Sequence, residues 1–118
     1  MNVLVVGHQG PLDAAVQTLL ETQFGLDRVL VAPDVRALNL EGDVAAPRLV
    51  VLCPSLAAHE FTRQLVWIKR AWPAARCLAL VNGEEQQQIA LAGADDVVLV
   101  GTPFEEFCVA VKRAVRLL

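Results

Sequence analysis

Apolar residues gather in five short runs along the chain: Val3 to Val6, Val29 to Ala32, Leu49 to Cys53, Cys77 to Val81, and Val97 to Val100. Each run is continuous rather than alternating, which is the pattern of strands covered on both faces and hence of a parallel sheet. Between the runs the spacing becomes helical. Leu12, Ala15, Val16, Leu19 and Leu20 fall on one stripe, with Asp13, Gln17, Thr18 and Glu21 on the other side. Pro11 is pre-set for a first helical turn, and Gly25 is a natural stop after Phe24. A helix from near Ser55 to Trp72, ended by Pro73, puts Phe61, Leu65, Ile68 and Trp72 on one stripe and leaves Trp67 off it. The last helix comes after Pro103, with Phe104, Phe107, Cys108, Val111, Val115 and Leu118 on one face and Lys112, Arg113 and Arg116 late enough to suit its C-terminal dipole. Two patterns are thinner. One is a short helix between Asp34 and Leu40, and the other a helix after Gly83 with only Ile89 and Leu91 amid three glutamines and alanines.

Strands alternating with helices and closed by a helix form a βα repeat whose crossovers are right-handed. The expected fold class is α/β, a doubly wound five-stranded parallel sheet of order 2-1-3-4-5, flavodoxin-like, in one domain over residues 1–118. The Gly42 to Pro47 stretch reads as a loop, and no internal repeat or linker interrupts the chain. Such sheets bind ligands outside the carboxyl ends of their strands, at the switch between strands 1 and 3. The functional question narrows to the residues just after Val6, Leu52 and Val81, and to the end of the last strand.

Composition excludes several classes. Apolar residues make up 55% of the chain, but no run approaches the roughly 18 residues a membrane span needs. No basic segment leads into an apolar stretch at the N-terminus, so a cytoplasmic location is expected. Cys53, Cys77 and Cys108 are odd in number and widely spaced, which indicates reduced thiols rather than a disulfide framework or zinc site. A formal charge of −3 provides no basic field for a phosphate backbone, so direct nucleic-acid binding by this domain is not expected.

Three stretches carry a resemblance. "RLVVLCPSL", "LVWIKRAWPAARCLALV" and "GADDVVLVGTPFEEFCVAVKRAV", in this order, resemble a receiver domain of the bacterial two-component response regulators, over nearly the whole chain. The best local marks are the Gly93-Ala94-Asp95 turn, the Pro103-Phe104-Glu105-Glu106 helix start and the "WPAARCLAL" entry to the fourth strand. The exit of the last strand resembles receivers that precede helix-turn-helix output domains. An output domain beyond Leu118 would make this piece the N-terminal part of a transcription regulator.

The resemblance implies a phosphorelay site, and the residues depart from it. Receivers carry an acidic pair after strand 1 for Mg²⁺, a phosphate-accepting Asp after strand 3, a Ser or Thr ending strand 4 and a Lys near the end of strand 5. The acidic pair falls on Gly7 and His8, the acceptor on Cys53, and the hydroxyl on Val81. The Lys falls on Val100 when aligned from Gly93 or on Thr102 when aligned on Pro103, and the usual strand 5 aromatic falls on Val97. Mg²⁺ needs hard oxygen ligands, and phosphoryl transfer needs a metal or cation on the transferring oxygens. Neither Mg²⁺ nor any other cofactor is expected, and neither is aspartyl phosphorylation. No Lys or Arg is predicted beside Cys53 to lower its pKa.

Other features have simpler readings beside the functional ones. His8 and Cys53 should lie close across strands 1 and 3, as a nucleophile and base would, but no third ligand or orienting acid is identifiable, and a packed thiol beside a partly exposed His accounts for both. His59 reads as solvated. Trp67 is either a partner-binding anchor or a helix flank under a neighbouring loop. Arg113 and Arg116 read as dipole-complementing charges or part of an interaction surface. "GHQGP" matches neither G-x-G-x-x-G nor G-x-x-x-x-G-K-[ST], and Pro11 removes a backbone N–H from the helix start.

The leading expectation is therefore an atypical receiver, not an enzyme, acting as a phosphorylation-independent module that forms a homodimer or binds a partner signalling protein. Its face would be built from the helix after Gly83, the last strand and the last helix, which the family commonly uses for dimers. The alternative is a sensor binding a nucleotide or similar metabolite in the emptied pocket around Gly7, His8 and Cys53. A third reading, an enzyme using Cys53 with His8, requires a reactive thiol.

Overall fold

The computed structural model describes residues 2–8, 10–23, 28–34, 47–101 and 103–116. Along the chain come β1 (Asn2–Val6), α1 (Pro11–Gln23), β2 (Arg28–Ala32), β3 (Leu49–Leu52), α2 (Ala58–Ala71), β4 (Arg76–Val81), α3 (Glu84–Gly93), β5 (Asp96–Leu99) and α4 (Phe104–Arg116). The short helix expected between Asp34 and Leu40, the stop at Phe24 and Gly25, most of the Gly42 to Pro47 loop, Thr102 and Leu118 lie outside the described residues.

All strands are parallel, in the order β2-β1-β3-β4-β5. The continuous apolar runs resolve into two alternating sets, because successive side chains of a strand point to opposite faces. Val3, Val5, Leu49, Val51, Leu78, Leu80 and Val98 pack with Val16 and Leu20 of α1 and Ala110, Val111 and Ala114 of α4. Leu4, Val6, Val50, Leu52, Cys77, Ala79 and Val81 pack on the other face with Phe61, Leu65 and Ile68 of α2 and Ala90 of α3. Among the described residues no helix is long and apolar enough to cross a membrane.

Three helices differ in detail from the sequence reading. In α1 the buried line is Asp13, Val16 and Leu20, whereas Leu12 and Ala15 are exposed. The helix is rotated from its apolar stripe because Asp13, expected on the polar side, finds a hydroxyl partner in the interior. The second helix begins at Ala58 rather than near Ser55. Residues 53–57 form a turn in which the Leu56 N–H donates to the Cys53 carbonyl, and the Glu60 carboxylate reaches back to the Ala57 N–H at 2.9 Å to cap the helix. The thin pattern after Gly83 does form a helix, with Ala90 buried, Ile89 partly so and Leu91 65% exposed. Trp67, off the α2 stripe, packs edge-on against Trp72 with ring centroids 4.9 Å apart and adds to the core.

Candidate functional site

The ladders of β1 run on past the strand ends: toward β3 the Cys53 N–H donates to the Val6 carbonyl at 2.9 Å, and toward β2 the Gly7 N–H donates to the Ala32 carbonyl at 3.0 Å. Gly7 and Cys53 therefore lie at the switch between the central strands, where doubly wound folds place ligands. Gly7 is buried, and the space beside its Cα belongs to Asp13. A methyl group there would overlap Asp13 Oδ2 and approach Ser55 Oγ to 2.8 Å. Asp13 is only 1% exposed; its Oδ2 accepts the Ser55 hydroxyl at 2.9 Å, and its Oδ1 has no hydrogen-bond partner. The pocket expected to be emptied at Gly7 is thus filled from within. With no side chain at Gly7, the space at the strand end is occupied by a carboxylate from the next helix.

Cys53 is fully buried in this surrounding. Burial first, and the Asp13 charge second, push its thiol well above the ordinary range, so the nucleophilic thiolate is strongly disfavoured. His8 turns away from it. The His8 backbone N–H donates to Ser55 Oγ at 3.0 Å, while its exposed ring meets the Glu60 carboxylate, with Nε2 2.9 Å from Oε2 and 3.1 Å from Oε1. The Ala57 N–H, and after it His8, hold the Glu60 carboxyl below the usual range against an opposing effect of burial. Each candidate partner of the Cys53–His8 pair is thus engaged by another acid, Asp13 for the thiol and Glu60 for the imidazole.

Val81 is buried at the end of β4, where its carbonyl accepts the Val100 N–H at 2.8 Å. Val100 is 41% exposed and brings no polar side chain to that place. The described loops at this end of the sheet, residues 7–8, 33–34, 53–57, 82–83 and 100–101, contain no Lys or Arg, while the first helical turns carry Asp13, Glu60, Glu84, Glu85, Glu105 and Glu106. Among the described residues the charge at this end is acidic, which disfavours an anionic ligand beside these side chains. Among the described residues no group of three or more His, Cys, Asp or Glu is placed to hold a metal ion.

Sequence reasoning misses two participants besides Asp13. The pattern makes Ser55 a helix start, yet it bonds Asp13 and His8. It makes Gln86 filler in a thin helix, yet its Nε2 donates to the carbonyls of Leu56 at 2.7 Å and Pro54 at 3.2 Å, and its Oε1 accepts the Asn82 N–H at 2.7 Å. The six-residue step from Gly7 to Asp13 is the one available signal, since it places an acid on the first turn of the helix after a strand-end glycine.

A second feature lies on the side of the sheet. Between α3, β5 and α4 runs a groove of about 700 Å³, with Leu91, Leu99 and Val109 exposed in its walls and Val97 half-buried in its floor. Asp95, Glu105 and Glu106 edge it. Arg113, another wall residue, lies 3.7 Å from Asp96, which is also held by Arg76 at 3.4 Å. Arg116 is exposed one turn further along α4, and Trp67 is on α2 rather than in this groove.

No protein-family model matches the sequence, and no curated protein does. Solved structures do match. A CheY-like protein (tadZ) from Pseudomonas aeruginosa PAO1 superposes with a TM-score of 0.69 at 20% identity, over 97% of this chain and 99% of that one. The beryllofluoride-activated NtrC4 receiver domain dimer gives a TM-score of 0.76 at 18% identity, over 98% and 96%. The response regulator DrrB from Thermotoga maritima gives 0.74 at 24% identity, and there 98% of this chain corresponds to 52% of the longer protein. With the strand order, these likenesses establish that the chain has the fold of a CheY-like response-regulator receiver domain.

Proposed function

We propose that this chain is a receiver-type signalling module that works by protein association and without phosphorylation, and that it pairs with a second copy of itself through the α3–β5–α4 face. The observation that carries the first half is the interior of the carboxyl-end site. The acceptor position is a buried thiol, and the acid that fills the Gly7 space is committed to Ser55. A phosphoryl group arriving there would meet a buried carboxylate and no described cation, the reverse of what its transfer needs.

The groove supports the second half. Leu91, Leu99 and Val109 are large apolar residues left exposed on one face of a chain whose other apolar runs are mostly buried. The charge order along α4 is acidic in the first turn and basic in the last. In a two-fold antiparallel pairing centred on Val109, Glu105 faces Arg113 and Glu106 faces Lys112 of the second copy. That makes the helix self-complementary, as an isologous interface requires. The NtrC4 receiver, one of the solved structures of this fold, is described as a dimer in its beryllofluoride-activated form.

The test is a two-dimensional NMR titration of the labelled protein with beryllofluoride and Mg²⁺, together with sedimentation over a concentration series. Unchanged resonances around Cys53 and a concentration-dependent dimer are expected. A shift localised at Cys53 overturns phosphorylation independence, and a monomer at all concentrations overturns self-association.

A further inference from the structure

We infer that Gln86 and Asp13 together form a clasp that pins the β3–α2 loop from both sides and thereby fixes α3, one wall of the groove, in a single position. The inference deepens the proposed function and rests on it only for its consequence, a permanently formed association face. The clasp itself is read from three consecutive residues. Ser55 gives its hydroxyl hydrogen to Asp13 of α1 and receives the His8 N–H. The carbonyls on either side of it, Pro54 and Leu56, are both taken by the Gln86 side-chain amide of α3. The other end of the same amide accepts the Asn82 N–H, closing the β4–α3 loop onto the first turn of α3.

Gln86 therefore spans two loops with a single planar group, using both its donor and its acceptor side. Only an amide does this. A carboxylate in its place would still accept from Asn82 but would face two carbonyl oxygens without a proton to give. A thioether of the same length would fill the space and make none of the bonds. The residue after Gln86, Gln87, lines the groove, and Leu91 stands one turn further on, so the strap is attached directly to the helix whose outer side forms the wall. Gly93 at the far end of α3 packs against Leu65, where an added Cβ would come to 3.1 Å from Leu65 Cδ1. Helix α3 is thus held at its start by Gln86 and at its end by close contact with α2.

The test is amide hydrogen exchange on the whole chain and on three variants: Gln86→Met, Gln86→Glu and Asp13→Ala. In the Met variant the amides of residues 82–93 should exchange about tenfold faster or more, the consequence of losing the three hydrogen bonds of the Gln86 amide. The Glu variant should exchange at least as fast. Asp13→Ala, which leaves Ser55 without its acceptor, should raise exchange both in the 53–57 loop and in α3, because the loop is the common element. Amides of the buried strands β1 and β3 should stay within about twofold of the parent, which separates local release from general loosening.

Protection of residues 82–93 unchanged in Gln86→Met would overturn the strap, and a uniform rise across every strand would overturn its local character. An Asp13→Ala effect confined to the loop would overturn the coupling. Exchange reads the clasp whether or not the chain self-associates, so its failure and the failure of the dimer in sedimentation are separately visible.

Discussion

The carboxyl end of the sheet and the α3–β5–α4 face present opposite solutions to the same problem of exposed groups. At the carboxyl end polar groups pair with one another, Asp13 Oδ2 with Ser55, His8 with Glu60, and Gln86 with three backbone groups, and only Asp13 Oδ1 among the groups named is left without a partner. At the side face Leu91, Leu99 and Val109 remain open to solvent in a groove of about 700 Å³. Among the described residues, the groups at the carboxyl end are engaged with one another, while the apolar residues of the side face have no described cover. Under the proposed function, the fold serves this chain as a scaffold for a surface.

The comparison breaks first at Gly7. Gly7→Ala forces a methyl group into the Asp13 carboxylate and should lower unfolding stability in urea by about 1–3 kcal/mol, the usual cost of overpacking a filled site. Adding Asp13→Ala removes the obstacle, so the double variant should lose less than the sum of the singles. A cycle that closes additively would show that the two residues do not share one space. The side face should respond in the opposite way. Leu91→Glu or Val109→Glu should weaken self-association about tenfold or more while unfolding stability stays within about 0.5 kcal/mol, since both side chains are already exposed.

Thiol reactivity sharpens the comparison next. Cys53 and Cys77 are buried, and burial raises both, with Cys77 pushed up to about 12, whereas Cys108 is only partly buried. Iodoacetamide at neutral pH should therefore label Cys108 first, as read by mass spectrometry of proteolytic fragments. Labelling that begins at Cys53 would revive it as a nucleophile.

The smallest effect is expected from pH. Glu60 has its pKa lowered in the folded chain by the Ala57 N–H and by His8, so its contribution is complete above the ordinary glutamate pKa of about 4.3 and is lost as pH falls through the lower folded value. Thermal melts between about pH 6 and pH 3 should show a shallower fall for Glu60→Gln than for the parent chain. Equal slopes would remove Glu60 from the account.

The strands were legible because each is covered on both faces, so a continuous apolar run is nearly all the signal required. Strand order came from the alternation of elements. Helix faces were less legible. In α1 the apolar stripe through Leu12, Ala15 and Leu19 was apparent, yet the helix buries Asp13 instead, because a carboxylate with a hydroxyl partner can be interior while an unpaired one cannot. Ser55 and Gln86 were invisible for a related reason. Their roles lie in bonds to residues 42 and about 30 positions away, and neither residue type nor local spacing announces them. The non-acidic character of Gly7, His8, Cys53 and Val81 is legible residue by residue, but not the acid that fills the Gly7 space from the neighbouring helix.

The central claim, association that needs no phosphorylation, is tested most directly by sedimentation equilibrium of the chain with and without beryllofluoride and Mg²⁺. A monomer–dimer equilibrium with the same dissociation constant is expected in both conditions. A dimer that forms only when beryllofluoride and Mg²⁺ are present would contradict it.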